Sequence, residues 1–406
     1  MKTVILTQFY PPEMGAAQNR IAALARAFVR RGHDLTVLTA LPNYPTGKIY
    51  PEYQNRYKAV EEFEGMKIIR TWLYLHPSRN LIPTVLSYLT FALTARNVGA
   101  HEIKSADLLM WEYPPIFLGL AARKLARQWN ARLITNFADL WTDSMEENNT
   151  LSFKPLLNYL RKQETALMRR SFLISGQTAG IIENLKKRSP DVNPILWPNG
   201  ADISLFKPAE PSAEIMTAYN PGRKFVVGYA GLHGRIHNLD NILETARLLK
   251  SEKDIHFVFV GDGFMKSDMI KFASDNSLNN VSFHDPVAHS QLPEVLATFD
   301  IGLVSHKNLP SLKAVRSAKM FEMMAMELPI LYCGDSEGGE IVRNTEAGVI
   351  IPDNNPQTIA DKIIELKNSS ELKKLGANGR RQVEQNFDRI KISDEMVKTI
   401  EDRLAR

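Results

Sequence analysis

Short apolar runs alternate along this chain with longer stretches in which apolar residues return every three or four positions, and the alternation occurs twice. "KTVILTQFYPP" is a run of strand length ended by prolines. "AAQNRIAALARAFVRRGHDL" has helical spacing with Gly32 as its stop signal, and "DLTVLTAL" supplies the next strand. A strand–helix–strand opening implies a right-handed crossover and a parallel sheet. The pattern returns at "DLLMWEY", "RLITNFADLW", "FLISG" and "NPILWPNG". A second series starts at "KFVVGYAGL" and runs through "IHFVFVGDG", "NVSFHDP", "FDIGLVSH" and "PILYCG" to "AGVIIPD". Residues 199–223, rich in Pro, Gly and Asn, read as a linker.

These elements predict an α/β protein of two tandem doubly wound domains facing a central cleft, residues 1–198 and 199–385. A charged helix over 386–406 is expected to return to the first domain. Ligands of open α/β sheets bind outside the carboxyl ends of the strands.

Composition narrows the class. The 406 residues are 44% hydrophobic and 23% charged, as in a soluble globular protein. The single cysteine, Cys333, excludes an intramolecular disulfide and fits a reducing compartment. No cleavage-site pattern follows the first apolar run, and no stretch of about eighteen apolar residues is uninterrupted, so a cytoplasmic protein is expected. Charge is uneven: residues 1–200 carry about +9 and the remainder about −4. That bias suggests an anionic surface or ligand for the first half. It is not interleaved with a recognisable nucleic-acid module, so no nucleic-acid partner is expected. Residues 80–97 read either as a core helix or as a helix lying in an anionic membrane interface.

Candidate chemistry sits between strands and helices. Gly15 follows the first strand and permits close backbone approach of a phosphate, though an ordinary turn would look the same. Asp139, in "NFADLWTDS", stands just past a strand and reads as a site carboxylate or as a turn residue. "GYAGLHGRIHNLDNIL" combines Gly231 and Gly234 with Arg235 and His237, which suits a diphosphate or a solvated turn. Gly261 opens a D-G turn after the next strand. In "SAKMFEMMAMELPI", Lys319 and Glu322 lie one turn apart. The cation suits a phosphate and the carboxylate a ribose diol, while the methionines at 320, 323, 324 and 326 read as core. There is no D-x-D and no His/Cys cluster with ligand spacing, so no metal is expected.

The order of these motifs resembles the family 4 retaining glycosyltransferases of the GT-B fold, with two Rossmann-like domains, over nearly the whole chain. "LPNYPTGK" and "DLWTDS" resemble bacterial O-antigen and capsule enzymes, including a group that transfers N-acetylfucosamine. "WPNGADISLF", "SAKMFEMMAMELPI" and "SEGGEIVRNTEAGVIIPDNNP" are similar to the family's later motifs. The resemblance implies an acceptor-binding first domain and a nucleotide-sugar-binding second domain. The donor would be a nucleotide-diphosphate sugar, with UDP the first choice, and no cofactor is needed. The acceptor would be a glycan or undecaprenyl-linked glycan, with the enzyme peripheral at the inner face of the membrane.

Carried over by position, Gly15 approaches the donor phosphates or the acceptor, Asp139 lines the sugar side, and Arg235 and Lys319 stabilise the leaving diphosphate. His237, Gly231 and Gly261 flank that site. Glu322 holds the ribose as the second glutamate of E-x7-E, and Glu337 contacts the donor sugar or diphosphate. The first E-x7-E position falls on Ala314, and "SAK" replaces the family's "PSK". Ala314 favours an alternative, a catalytically silent nucleotide-sugar-binding subunit; a sugar-nucleotide epimerase of the same fold is another.

Overall fold

The computed structural model describes residues 1–405 apart from 45, 77–80, 148–150 and 152. Pro45 of "LPNYPTGK" and Asn80 of the 80–97 helix therefore lie outside the described residues. The chain divides into two compact units, Met1–Pro198 with Ile390–Arg406, and Asn199–Arg389.

The first unit runs β1 (Lys2–Leu6), α1 (Ala16–Arg30), β2 (Asp34–Ala40), β3 (Lys58–Phe63), β4 (Met66–Thr71), α2 (Leu81–Glu102), β5 (Leu108–Tyr113), α3 (Ile116–Trp129), β6 (Arg132–Phe137), α4 (Trp141–Glu147), α5 (Lys154–Arg169), β7 (Leu173–Gly176), α6 (Ala179–Arg188) and β8 (Ile195–Leu196). Its sheet order is β3-β4-β2-β1-β5-β6-β7-β8. Central strands carry apolar residues throughout because helices cover both faces; all six residues of β5 are buried. The β3–β4 pair is antiparallel, a hairpin that the apolar runs alone do not announce. Its turn places Glu64 and Gly65 at φ 50° and 77°, the twist a two-residue hairpin needs.

The second unit continues with α7 (Ala213–Tyr219), β9 (Phe225–Ala230), α8 (Leu239–Leu248), β10 (Ile255–Val260), α9 (Lys266–Asp275), β11 (Val281–His284), α10 (Leu292–Leu296), β12 (Ile301–Ser305), α11 (Ala318–Ala325), β13 (Ile330–Cys333), α12 (Glu337–Asn344), β14 (Gly348–Ile351), α13 (Pro356–Lys367) and α14 (Leu372–Asn386). Its sheet is parallel, in the order β11-β10-β9-β12-β13-β14. Met320, Met323, Met324 and Met326 are core residues, as their spacing predicts.

The last helix, α15 (Arg389–Leu404), belongs almost wholly to the first unit. Ile392, Met396, Val397 and Ile400 join Ala22, Ala25 and Phe28 of α1 in one buried cluster. His33 and Arg31 both bond Glu401, and Arg30 bonds Asp394.

One expectation needs correction. Residues 199–223 are not a linker: they contain α7, and Ala201, Phe206 and Tyr219 are buried in the second unit's core. Pro and Gly there shape a packed segment rather than a solvated one. Residues 81–97 fall in α2, which is neither wholly buried nor wholly surface. Phe91 and Ala95 are fully buried, whereas Ile82, Leu86 and Leu93 are exposed. Among the described residues no helix is long and apolar enough to cross a membrane.

Candidate active site

In the second unit the strand order reverses between β9 and β12, so a crevice opens at the carboxyl ends of these strands. Gly231 follows β9 with φ 148°. A Cβ there would stand 3.0 Å from both Cε and Nζ of Lys319. Gly261, after β10, has φ 140°, and its Cβ would lie 2.0 Å from the Gly231 carbonyl oxygen. Only residues without a side chain let these two loops touch. The His233 N–H donates to the Asp262 carbonyl at 2.8 Å and locks the loops together.

Lys319 lies in the first turn of α11, half-buried. Its Nζ donates to the Tyr229 hydroxyl at 2.7 Å and sits 4.0 Å from the centre of that ring. The Tyr229 hydroxyl donates in turn to the Leu232 carbonyl at 2.7 Å. Burial pushes the Lys319 ammonium down to about 7, against a smaller opposing pull from Glu322. His237 follows the same loop, and its ring is pushed down to about 2, first by burial and then by Lys319, His306 and His233. His233 is fully buried, and neither ring nitrogen has a partner among the described residues. Burial, with Lys266 and Lys319 adding to it, holds this imidazole at about 4. The crevice is thus lined by neutral imidazoles around one marginally charged ammonium. An entering anion would restore that charge.

Arg235 is exposed on this loop, its guanidinium carbon 5.4 Å from the Phe264 ring centre. Glu322 is 8% exposed and does not pair with Lys319. Its Oε1 accepts from Arg389 Nη2 at 3.0 Å and from His289 Nε2 at 3.2 Å. Burial raises this carboxyl, but His289 and Arg389 outweigh it and hold it below its ordinary value. Glu337, at the start of α12, accepts from Arg316 Nε at 2.7 Å. Its own N–H donates to the Lys313 carbonyl at 2.8 Å, so the segment before α11 caps α12. Ala314 lies in that segment and is half-buried.

The structure therefore gathers Gly231, Gly261, His237 and Lys319 at one crevice. Arg235 stands on its rim, while Glu322 and Glu337 are held in separate ion pairs. Tyr229 and His233 belong to the crevice although sequence reasoning passed over them inside "GYAGLHGR". His289 and Arg389 had no local signal, because their link to Glu322 spans 33 and 67 residues.

Gly15 and Asp139 belong to the first unit. Gly15 precedes α1 in extended conformation, φ 163°, and its Cβ would meet only the flexible end of Gln18. Asp139 is exposed at the end of β6 and accepts from the Leu140 N–H at 2.7 Å. The protein packed around its carboxyl still pushes it above its ordinary value. Beside Gly15, Glu13 is 2% exposed and accepts the N–H groups of Tyr10, Asn43 and Tyr44 at 3.2, 2.7 and 2.8 Å. It ties the first loop to the "LPNYPTGK" segment. Among the described residues, no group of three or more His, Cys, Asp or Glu is placed to hold a metal.

Two family models match the chain: a glycosyl transferase 4-like domain over residues 15–200 and glycosyl transferases group 1 over residues 224–369. WcaI of Escherichia coli, named for a glycosyl transferase role in colanic acid biosynthesis, is 25% identical over 337 residues, 80% of this chain and 81% of its own. Among solved structures, sucrose-phosphate synthase of Thermosynechococcus elongatus superposes with a TM-score of 0.77 at 16% identity, covering 100% of both chains. HepE of Anabaena, solved with UDP and glucose, gives 0.72 at 15% identity over 99% of each chain. Likeness at this identity establishes the two-domain GT-B architecture.

Proposed function

We propose that this chain, a GT-B glycosyltransferase whose two halves match the family 4-like and group 1 models, moves a sugar, with retention at the anomeric carbon, from a nucleoside diphosphate to a hydroxyl of a lipid-linked glycan. The observation that carries this reading is Lys319, held against the bare backbone of Gly231 at the point where the strand order reverses. A diphosphate resting on that backbone meets the ammonium directly. The bond from the anomeric carbon to the β-phosphate oxygen breaks, and its electron pair leaves on the diphosphate. Lys319 and Arg235 take up the developing charge. The acceptor hydroxyl attacks from the face the diphosphate vacates and gives its proton to a diphosphate oxygen.

In the same reading, the free side of the Glu322 carboxylate receives the ribose diol, since both its protein bonds fall on Oε1. Glu337 serves the donor sugar or the diphosphate, Gly15 approaches the donor phosphates or the acceptor, and Asp139 lines the sugar side. The name of WcaI, a colanic acid biosynthesis glycosyl transferase, supports a place in bacterial surface polysaccharide synthesis; work on the cytoplasmic side of the membrane is part of the same proposal. The UDP bound to HepE makes UDP the first nucleotide to test, and the "LPNYPTGK" likeness makes N-acetylfucosamine the first sugar.

Calorimetric titration with UDP, GDP and TDP, with Lys319→Met beside the wild type, tests the donor site. Selective binding of one nucleotide that the substitution weakens at least tenfold is expected. No binding to any of them overturns the reading. Donor binding without turnover across a panel of acceptors would return the protein to the silent-subunit alternative, for which Ala314 speaks.

A further inference from the structure

The first unit carries a groove between α5 and α6, lined by none of the residues given a part in the transfer. It encloses about 720 Å³. Six of its ten lining residues are Arg161, Lys162, Arg169, Arg170, Lys187 and Arg188, against the single carboxylate of Asp143. Two of the cations are set in place by their partners. Arg188 bonds Glu164 at 2.7 Å and also pairs with Asp143; Arg161 bonds Asp143 at 3.0 Å and Glu146 at 2.6 Å. Glu164 is itself buried and accepts from Thr142 and Tyr113, so this wall of the groove is anchored in the core.

Lys162, Arg170 and Lys187 make no ion pair among the described residues. Their charge is uncompensated, and the field extends to α3. There Arg123 is pushed down first by burial and then by Arg170 and Arg127. Residues 121–190 hold twelve Lys and Arg against six Asp and Glu, most of the first half's excess.

The same helix exposes apolar residues next to this charge. Phe153, Leu156 and Tyr159 are 63%, 42% and 57% exposed at the start of α5. Tyr159, Lys162, Ala166 and Arg169 recur at spacings of three, four and three, so the aromatic row continues into the cationic one. α2 and α5 both begin near the carboxyl ends of the sheet, because each leads from one parallel strand toward the next. Ile82 and Leu86, in the first turns of α2, are exposed there too, and Tyr88 of α2 meets Trp141 of α4 edge to face.

The geometry points to a docking surface for an anionic phospholipid bilayer. The first turns of α5 and α2 enter the interface, and the α5–α6 groove takes headgroup phosphates. Apolar anchors beside unpaired cations on one helix are what an interfacial surface of this kind requires. The inference deepens the lipid-linked part of the proposed function and moves membrane contact from residues 80–97 alone to α5 and its groove.

Vesicle flotation tests it without donor or acceptor, so failure here leaves the transferase reading standing. Wild-type protein is mixed with vesicles of phosphatidylcholine alone or with an equal share of phosphatidylglycerol. Binding only to the anionic vesicles is expected, falling as salt rises. Lys162→Glu/Arg170→Glu/Lys187→Glu should weaken partition by about a hundredfold or more. Phe153→Ser/Tyr159→Ser should weaken it by about tenfold or more. Near-UV circular dichroism and thermal melting of both variants should match the wild type, which shows that the first unit still folds, and nucleotide affinity in the second unit should be unchanged. Equal binding to neutral vesicles, binding unchanged in both variants, or binding of RNA in place of vesicles would overturn the proposal.

Discussion

Lys319 donates to the Tyr229 hydroxyl at 2.7 Å and makes no ion pair with Glu322, its neighbour one turn along the same helix. The two charges that look like a pair in the sequence serve two different places. One faces the crevice between β9 and β12; the other closes onto Arg389 and His289.

The Lys319 ammonium titrates near 7 in the folded protein, well below its value of about 10.4 in an unfolded chain. Between those values the unfolded state binds more protons, so this group makes stability rise with pH across that window. Lys319→Met should flatten that rise in thermal melts from pH 6 to pH 10. Nucleotide affinity should move the opposite way, strongest below pH 7 and falling above it, and the variant should lose this dependence. A wild type whose affinity does not vary between pH 6 and pH 9 would count against a charged Lys319 at the phosphate.

Gly231→Ala should weaken nucleotide binding tenfold or more. The new Cβ would stand 3.0 Å from the end of the Lys319 side chain and push it aside, and φ 148° is strained for any residue with a Cβ. The strain should cost about 1–3 kcal/mol of stability. Titration calorimetry with chemical denaturation on the same sample separates the two effects.

Glu322→Ala leaves Arg389 charged in a side chain only 4% exposed. Breaking a buried pair from one side costs about 3–5 kcal/mol, so a large stability loss is expected beside any loss of ribose binding. The pair's contribution is present above the unfolded carboxyl value of about 4.3 and fades as pH falls through the lower folded value. Urea denaturation at pH 7 and pH 4 checks this: the gap between wild type and variant should narrow in acid.

Glu13 is pushed up to about 7, burial outweighing the three N–H groups it accepts. Its folded value lies above the unfolded one, so its contribution to stability declines as pH rises from about 4.3 to 7. Glu13→Ala leaves the N–H groups of Asn43 and Tyr44 without their acceptor, at about 1–3 kcal/mol. Faster hydrogen exchange at these two amides is the expected readout; unchanged protection would mean that the loop is held by other contacts.

The parallel strands of the two sheets were readable because strands buried on both faces leave apolar runs, and "KTVIL", "FVVGYA" and "IHFVFV" are such runs. The β3–β4 hairpin was not, because it lies at a sheet edge where half of "KAVEEF" is charged and only Ala59 is buried. Residues 199–223 misled because loop chemistry says nothing of what a loop packs against, and Phe206 packs into a core. At the site, Lys319 and the glycines stood out through their local setting. The partners of Glu322 did not, since only the closed fold brings Arg389 to it.

The return of residues 390–404 to the first unit has a consequence for synthesis. Domains of a growing chain commonly fold in order from the amino end. Here the first unit cannot complete the cluster around α1 until Ile392, Met396, Val397 and Ile400 have emerged, after the whole of the second unit. The second unit has by then everything it needs, closing on itself where Ala201 and Phe387 share a backbone bond at 2.9 Å. The portion translated first is therefore the portion finished last, and it waits with an apolar face of α1 uncovered while about 190 further residues are made.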